Sequence, residues 1–114
     1  MKKLEFEHYG DNEAVQFTIY SYPFDNLAIL AVSAEDGELW NDVTINLPGM
    51  WTEPDEAYIS GDLSKELIDA MVKANIMTLP GDECRYNMGT YKLAVFNMDV
   101  LKEYVYPEEE NEDE

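Results

Sequence analysis

Catalysis needs nucleophiles, bases or metal ligands at workable spacing, and this chain offers few of them. His8 is the single histidine and Cys84 the single cysteine. A general base or a Cys–His nucleophile would have to draw on these two. His8 sits in an alternating stretch near the N-terminus with no partner signalled beside it, which suits a structural ring better than a catalytic one. Cys84 lies between Glu83 and Arg85, whose opposed charges give no net push toward a thiolate. Glu35, Asp36 and Glu38 can attract a cation, yet they lack the alternate-position acids around a glycine that make a calcium loop. Loose cation association is the expectation, not a metal site. No glycine-rich phosphate loop occurs and no cofactor is expected. These residues point to a protein that is not an enzyme.

Charge is the distinctive property. The 114 residues hold 25 acids against 7 Lys and Arg, a net charge of -18. DNA, RNA and anionic membranes would all repel such a chain, so none is expected as a direct partner. Six of those negative charges fall in Pro107–Glu114, a stretch without an apolar side chain. It reads as a disordered acidic tail, 107–114, behind a single globular domain, 1–106. Subtracting the tail's six charges still leaves -12 on residues 1–106, so the body is acidic in its own right. Hydrophobic residues make up 46%, enough for one core.

The acids are unevenly spread. Glu35, Asp36, Glu38 and Asp42 gather around one turn; Glu53, Asp55, Glu56 and Asp62 fill an irregular stretch further on. Double-stranded DNA carries about one charge per 1.7 Å of axis. A small rigid domain with its acids on one face can imitate that density and enter the basic groove of a nucleic-acid-binding protein. Trp40 and Trp51, near turns, are the expected apolar anchors of such a contact, although packing at the core edge is the plainer role for each.

The elements that would position these groups follow from periodicity. Residues 2–9 alternate, with Leu4, Phe6 and His8 on one side, and residues 14–22 alternate with Val15, Phe17 and Ile19 inward. Gly10–Glu13 reads as the turn between them. The unbroken apolar run Leu27–Val32 suits a central strand covered on both faces. Asp36-Gly37 marks a tight reversal. Residues 40–47 read as one strand with Val43, Ile45 and Leu47 inside and Asp42, Thr44 and Asn46 outside. The 50–61 stretch reads as irregular. Ser64 caps a helix whose apolar stripe is Leu67, Ile68, Met71 and Val72, and Asn75 stops it. Tyr91, Leu93 and Val95 mark a last strand, and Asn97 caps a short helix at 98–104. The expected fold is α+β: a mainly antiparallel sheet of four to five strands, one principal helix on one face, and a short C-terminal helix. The opposite face should be partly solvated through Thr18, Tyr20 and Thr44.

Glu5, Glu7 and Asp11 stand where a signal peptide would need apolar residues, and Leu27–Val32 is far shorter than the roughly 20 residues of a bilayer span. With one cysteine and no possible internal disulfide, a cytoplasmic location is expected.

Several segments resemble a known family. Asn26-Leu27-Ala28-Ile29, Val43-Thr44-Ile45-Asn46-Leu47-Pro48, Ala57-Tyr58-Ile59, Lys73-Ala74-Asn75-Ile76 and Tyr91–Phe96 are similar to a group of small uncharacterised bacterial proteins carried on plasmids, conjugative elements and other mobile DNA. After Ile59 this chain reads Ser60-Gly61-Asp62, where similar proteins place an Asp and paired asparagines. The resemblance implies a setting and no catalytic residues. Small acidic proteins on mobile elements often antagonise host defence, so an anti-CRISPR or anti-restriction inhibitor acting as a DNA mimic is expected. Its partner would be a basic nuclease or restriction enzyme, bound through Glu35, Asp36, Glu38, Trp40, Asp42, Trp51, Glu53, Asp55 and Glu56. The alternative is an accessory or assembly protein that binds its partner through aromatic residues or a sheet edge.

Overall fold

Alternation in the first third of the chain builds an antiparallel meander. The computed structural model describes residues 2–21, 26–47 and 52–107. Strand β1 (Leu4–His8) pairs with β2 (Asp11–Ser21), β2 with β3 (Leu27–Ser33), and β3 with β4 (Leu39–Asp42). Leu4 and Phe6 are buried while Glu5 and Glu7 are exposed, as period two requires. The β1–β2 connection is tighter than the expected Gly10–Glu13 turn. It is the pair Tyr9-Gly10 alone, with φ of 53° and 84°, because β2 already begins at Asp11 opposite His8. Strand β3 is covered on both faces, with Leu27, Ile29 and Ala31 buried toward the core and Ala28 and Val32 buried behind.

The expected single strand 40–47 is broken in two, and the break organises the molecule. Strand β4 belongs to the first sheet; β5 (Thr44–Ile45) pairs instead with β6 (Glu56–Ile59) in a second. Val43 between them serves both sheets: its N–H donates to Ile29 O at 3.0 Å, and its C=O accepts from Ser60 N–H at 2.9 Å. Thr44, expected outside, is 2% exposed. The bend turns its hydroxyl inward, where Oγ1 accepts the Ile29 N–H at 3.1 Å. A threonine can occupy this buried position because its polar group satisfies a strand N–H that the bend has taken out of the ladder. Tyr20 and half-buried Thr18 remain on the outer side as expected.

The second sheet runs β5-β6-β9-β7, with β7 (Met77–Thr78) and β9 (Gly89–Phe96); β8 (Glu83–Tyr86) forms a hairpin with the first half of β9. Strand β6 lies in the stretch read as irregular. Its four residues, Glu-Ala-Tyr-Ile, are too few to display a period by themselves, and pairing with β5 and β9 makes them a strand. The chain is therefore α+β and antiparallel, with its strands shared between two sheets.

Helix α1 (Lys65–Lys73) starts and stops where its caps dictate. Leu67 N–H donates to Ser64 Oγ at 3.2 Å. At the far end Asn75 takes φ 64°, Ile76 N–H donates to Met71 O and Asn75 N–H to Val72 O, a Schellman closure. Leu67 and Met71 are fully buried, Ile68 packs against the core, and Val72 is exposed at the margin of the stripe. Asn97 caps the short α2 (Met98–Leu101), which continues as a 3-10 turn, Lys102–Tyr104. One core joins all of this: Phe17 and Ile29 from the first sheet, Phe96 and Met77 from the second, Leu67 from α1 and Leu101 from α2. Beyond the turn, Val105 bridges Phe17 in parallel and Tyr106 N–H donates to Phe17 O. Residues 108–114 of the expected tail lie outside the described residues. No described helix is long and apolar enough to cross a membrane.

Replacing Thr44 by valine keeps the shape, adds apolar area and strands the Ile29 N–H. We expect Thr44→Val to lower stability by about 1–3 kcal/mol, measured by urea unfolding. A midpoint equal to or above the wild type would show that the hydroxyl does not hold the bend.

Candidate functional site

The acids of the first sheet come together because neighbouring strands bring distant stretches side by side. Ala34 N–H donates to Ala14 O, so the β3–β4 turn begins beside β2. Glu5, Asn12, Glu13, Ala14, Ser33 and Glu35 line an open cleft of about 330 Å³ there. Acidic residues from β1, β2 and the turn thus line one concavity, Glu5 from the outer face of the hairpin and Glu13, opposite Phe6, from the other. The turn itself is rigidly specified: Gly37 N–H donates to Ser33 O and Ser33 N–H to Glu38 O, each at 2.8 Å. Glu35 N–H donates to Ser33 Oγ and Glu38 N–H to Asp36 Oδ1. Glu35, Asp36 and Glu38 are all exposed on it.

The other expected site residues go elsewhere. Asp42 ends β4, exposed, with its N–H on Asn41 Oδ1 at 2.9 Å; Asn41 Nδ2 in turn donates to Asp62 O. Glu53, Asp55 and Glu56 enter β6, on the second sheet and past the bend from the first group. Glu56 Oε1 accepts the Glu53 N–H at 3.0 Å, and Asp55 O accepts the Phe96 N–H. The Glu56 carboxylate is therefore spent in closing its own loop. Trp40 points inward and is half-buried, edge-on to Phe6 at 5.2 Å and to His8 at 5.3 Å between ring centroids. Its job here is packing. Trp51 lies outside the described residues.

Two groups that composition raised for chemistry sit on different sheets. His8 Nδ1 is shielded from water, 3.5 Å from Glu66 Oε1 on α1, and makes no hydrogen bond. Cys84 is buried on β8, its thiol 3.7 Å from Arg85 O. Burial, and then Cys84 itself, push the neighbouring Tyr58 phenol above its ordinary value. Among the described residues, no three His, Cys, Asp or Glu side chains converge to hold a metal ion.

A profile of one protein family matches residues 4–112, from the first residue of β1 through the cleft and the second sheet. The chain belongs to DUF4313, a domain family of unknown function. No curated protein and no solved structure matches it. The expected membership of an uncharacterised family is thus met, and the DUF4313 match takes in every residue of the cleft.

Sequence reasoning overlooked Glu5 and Glu13. Strand alternation marked Glu5 as outward, but only register sets it near Glu35. It also overlooked Tyr9. This residue is 90% exposed at a φ that costs a side chain other than glycine about 1–2 kcal/mol. The available signal was a Tyr-Gly pair where a two-residue hairpin turn favours Asn-Gly.

The turn carrying Glu35, Asp36 and Glu38 is braced by the C-terminal segment. A Cβ at Gly37 (φ 78°) would stand 2.8 Å from the Tyr106 ring. Gly37→Ala should destabilise by about 1–2 kcal/mol through the backbone alone, with a further loss from the displaced ring. In a Tyr106→Ala background the penalty should shrink to the backbone part. Equal urea-unfolding penalties in both backgrounds would show that the ring does not brace the turn.

Proposed function

We propose that this chain is a non-enzymatic acidic binding protein that mimics nucleic acid and occupies the basic groove of a nuclease. The setting that fits is anti-defence: an anti-CRISPR or anti-restriction inhibitor carried on plasmids, conjugative elements and other mobile DNA of bacteria. What supports the reading most is the shared cleft of Glu5, Glu13 and Glu35, flanked by Asp36 and Glu38 on the adjoining turn. Acidic residues from three separate stretches line one end of one sheet, a local concentration of negative charge that supports the reading. Paired strands and a bonded turn fix the backbone that carries these acids, so little backbone ordering entropy is lost when a basic surface docks. The net charge of -18 adds long-range steering. Asp42, Glu53 and Asp55 then contribute to the surrounding field rather than to the contact, and Glu56 to its loop.

The second reading, an accessory or assembly protein, draws on Leu39, 63% exposed on the short edge strand β4. It predicts a complex that survives acid neutralisation and fails on Leu39→Ser.

The test is inhibition of DNA cleavage by a panel of purified restriction endonucleases and guide-loaded CRISPR nucleases. For the nuclease that responds, the association rate should fall about tenfold or more from about 50 to about 300 mM salt. The triple variant Glu5→Gln, Glu13→Gln, Glu35→Gln should weaken inhibition at least about tenfold, with its thermal midpoint unchanged or raised as repulsion is relieved. Inhibition indifferent to salt and to the triple variant would overturn the proposal.

A further inference from the structure

Carboxylates steer and pair, but a tight complex also needs a desolvated anchor, commonly an aromatic side chain. Trp40 is turned into the core, which leaves that role open on the first sheet. Tyr9 is the residue whose placement the fold does not explain. It fills the first position of a two-residue turn whose two positive φ angles favour Asn, Asp or Gly. It holds a φ of 53° there and stays 90% exposed. A strained position occupied by a large ring that adds almost nothing to the core is a local rule broken without structural return.

The ring has one aromatic neighbour. It lies 4.2 Å from the His8 ring, centroid to centroid, and His8 meets Trp40 at 5.3 Å. Trp40 meets Phe6 at 5.2 Å, so a column of four rings runs from solvent to the core and backs Tyr9 from behind. Acids lie near the His8 ring on which it rests. Asp11 pairs with His8 across the hairpin, and Glu66 Oε1 is 3.5 Å from His8 Nδ1. The cation on the adjoining first turn of α1, Lys65, is paired with Asp69 at 2.8 Å. The same hairpin contributes Glu5, Asn12 and Glu13 to the acidic cleft.

An exposed aromatic ring beside His8, with Asp11 and Glu66 in that imidazole's surroundings, has the complementarity of a planar cation. Guanidinium stacks on aromatic rings and bonds carboxylates through its fork of donors, whereas a lysine ammonium is more strongly hydrated and does so less well. We propose that Tyr9 is the anchor of the acidic face and stacks on an arginine side chain of the basic partner, with Asp11 and Glu66 neutralising it. This rests on the mimic reading above and names the group that the acidic surface captures.

The experiment uses the full chain and fluorescein-labelled homopeptides of arginine and of lysine, equal in length, followed by anisotropy. The wild type should bind the arginine peptide about two- to fivefold more tightly than the lysine peptide. Tyr9→Asn should abolish that preference, while Tyr9→Phe, which keeps the ring, retains it. Asparagine suits the turn better than tyrosine, so the thermal midpoint of Tyr9→Asn should equal or exceed that of the wild type, which separates lost binding from lost fold. A Tyr9→Asn protein with the wild-type preference overturns the anchor. The Glu5→Gln, Glu13→Gln, Glu35→Gln variant supplies the separate arm. It should weaken both peptides alike and leave the arginine preference intact. Unchanged affinity for both would instead remove the acidic-face reading, whatever Tyr9 does.

Discussion

The structure depends on one bend, at Val43, that passes the chain from one sheet to the other. Ile29 is the hinge of that arrangement: its C=O accepts from Val43 and its N–H donates to the Thr44 hydroxyl. Strand β4 stays with the first sheet and β5 leaves for the second, joined by a residue that bonds to both. A bend in a sheet normally leaves a ladder group without a partner. Here a side-chain oxygen replaces the missing backbone acceptor, so the core keeps its polar groups satisfied while the chain changes direction. Glu35, Asp36 and Glu38 stay on the β3–β4 turn of the first sheet, and the bend sends Glu53, Asp55 and Glu56 to the second.

The charge makes that arrangement costly. With -18 overall, repulsion among carboxylates opposes folding, and few cations relieve it. The ion pairs Lys2–Glu103 and Lys65–Asp69 are exposed at both ends and add little. Stability must come from apolar packing across the two sheets and two helices, where Phe17, Phe96, Leu67 and Leu101 are fully buried. An acidic surface maintained against its own repulsion, on a core sufficient to tolerate it, is the physical background of the mimic proposal.

Legibility followed the range of the interactions. Helix α1 was plain, since Ser64, the stripe Leu67–Val72 and Asn75 act within one or two turns of each other. Strands β1 and β3 were plain because burial of one face or both writes a period into the residues themselves. Strand β6 and the β8 arm were not, being four-residue pieces whose state is decided by partners far along the chain. Thr44 was misplaced for a related reason. Alternation assumes an unbroken strand, and nothing local announces a bend at Val43.

What the sequence determined by itself was the fold class, the helix with both its caps, the acidity and the scarcity of catalytic groups, because composition and short-range periodicity are complete in the chain. What only the tertiary structure decided was which acids share a cleft, that Trp40 faces inward, and that Tyr9 is the ring left standing in water. Those outcomes depend on strand register and on the bend, and both are set by hydrogen bonds between residues remote in sequence.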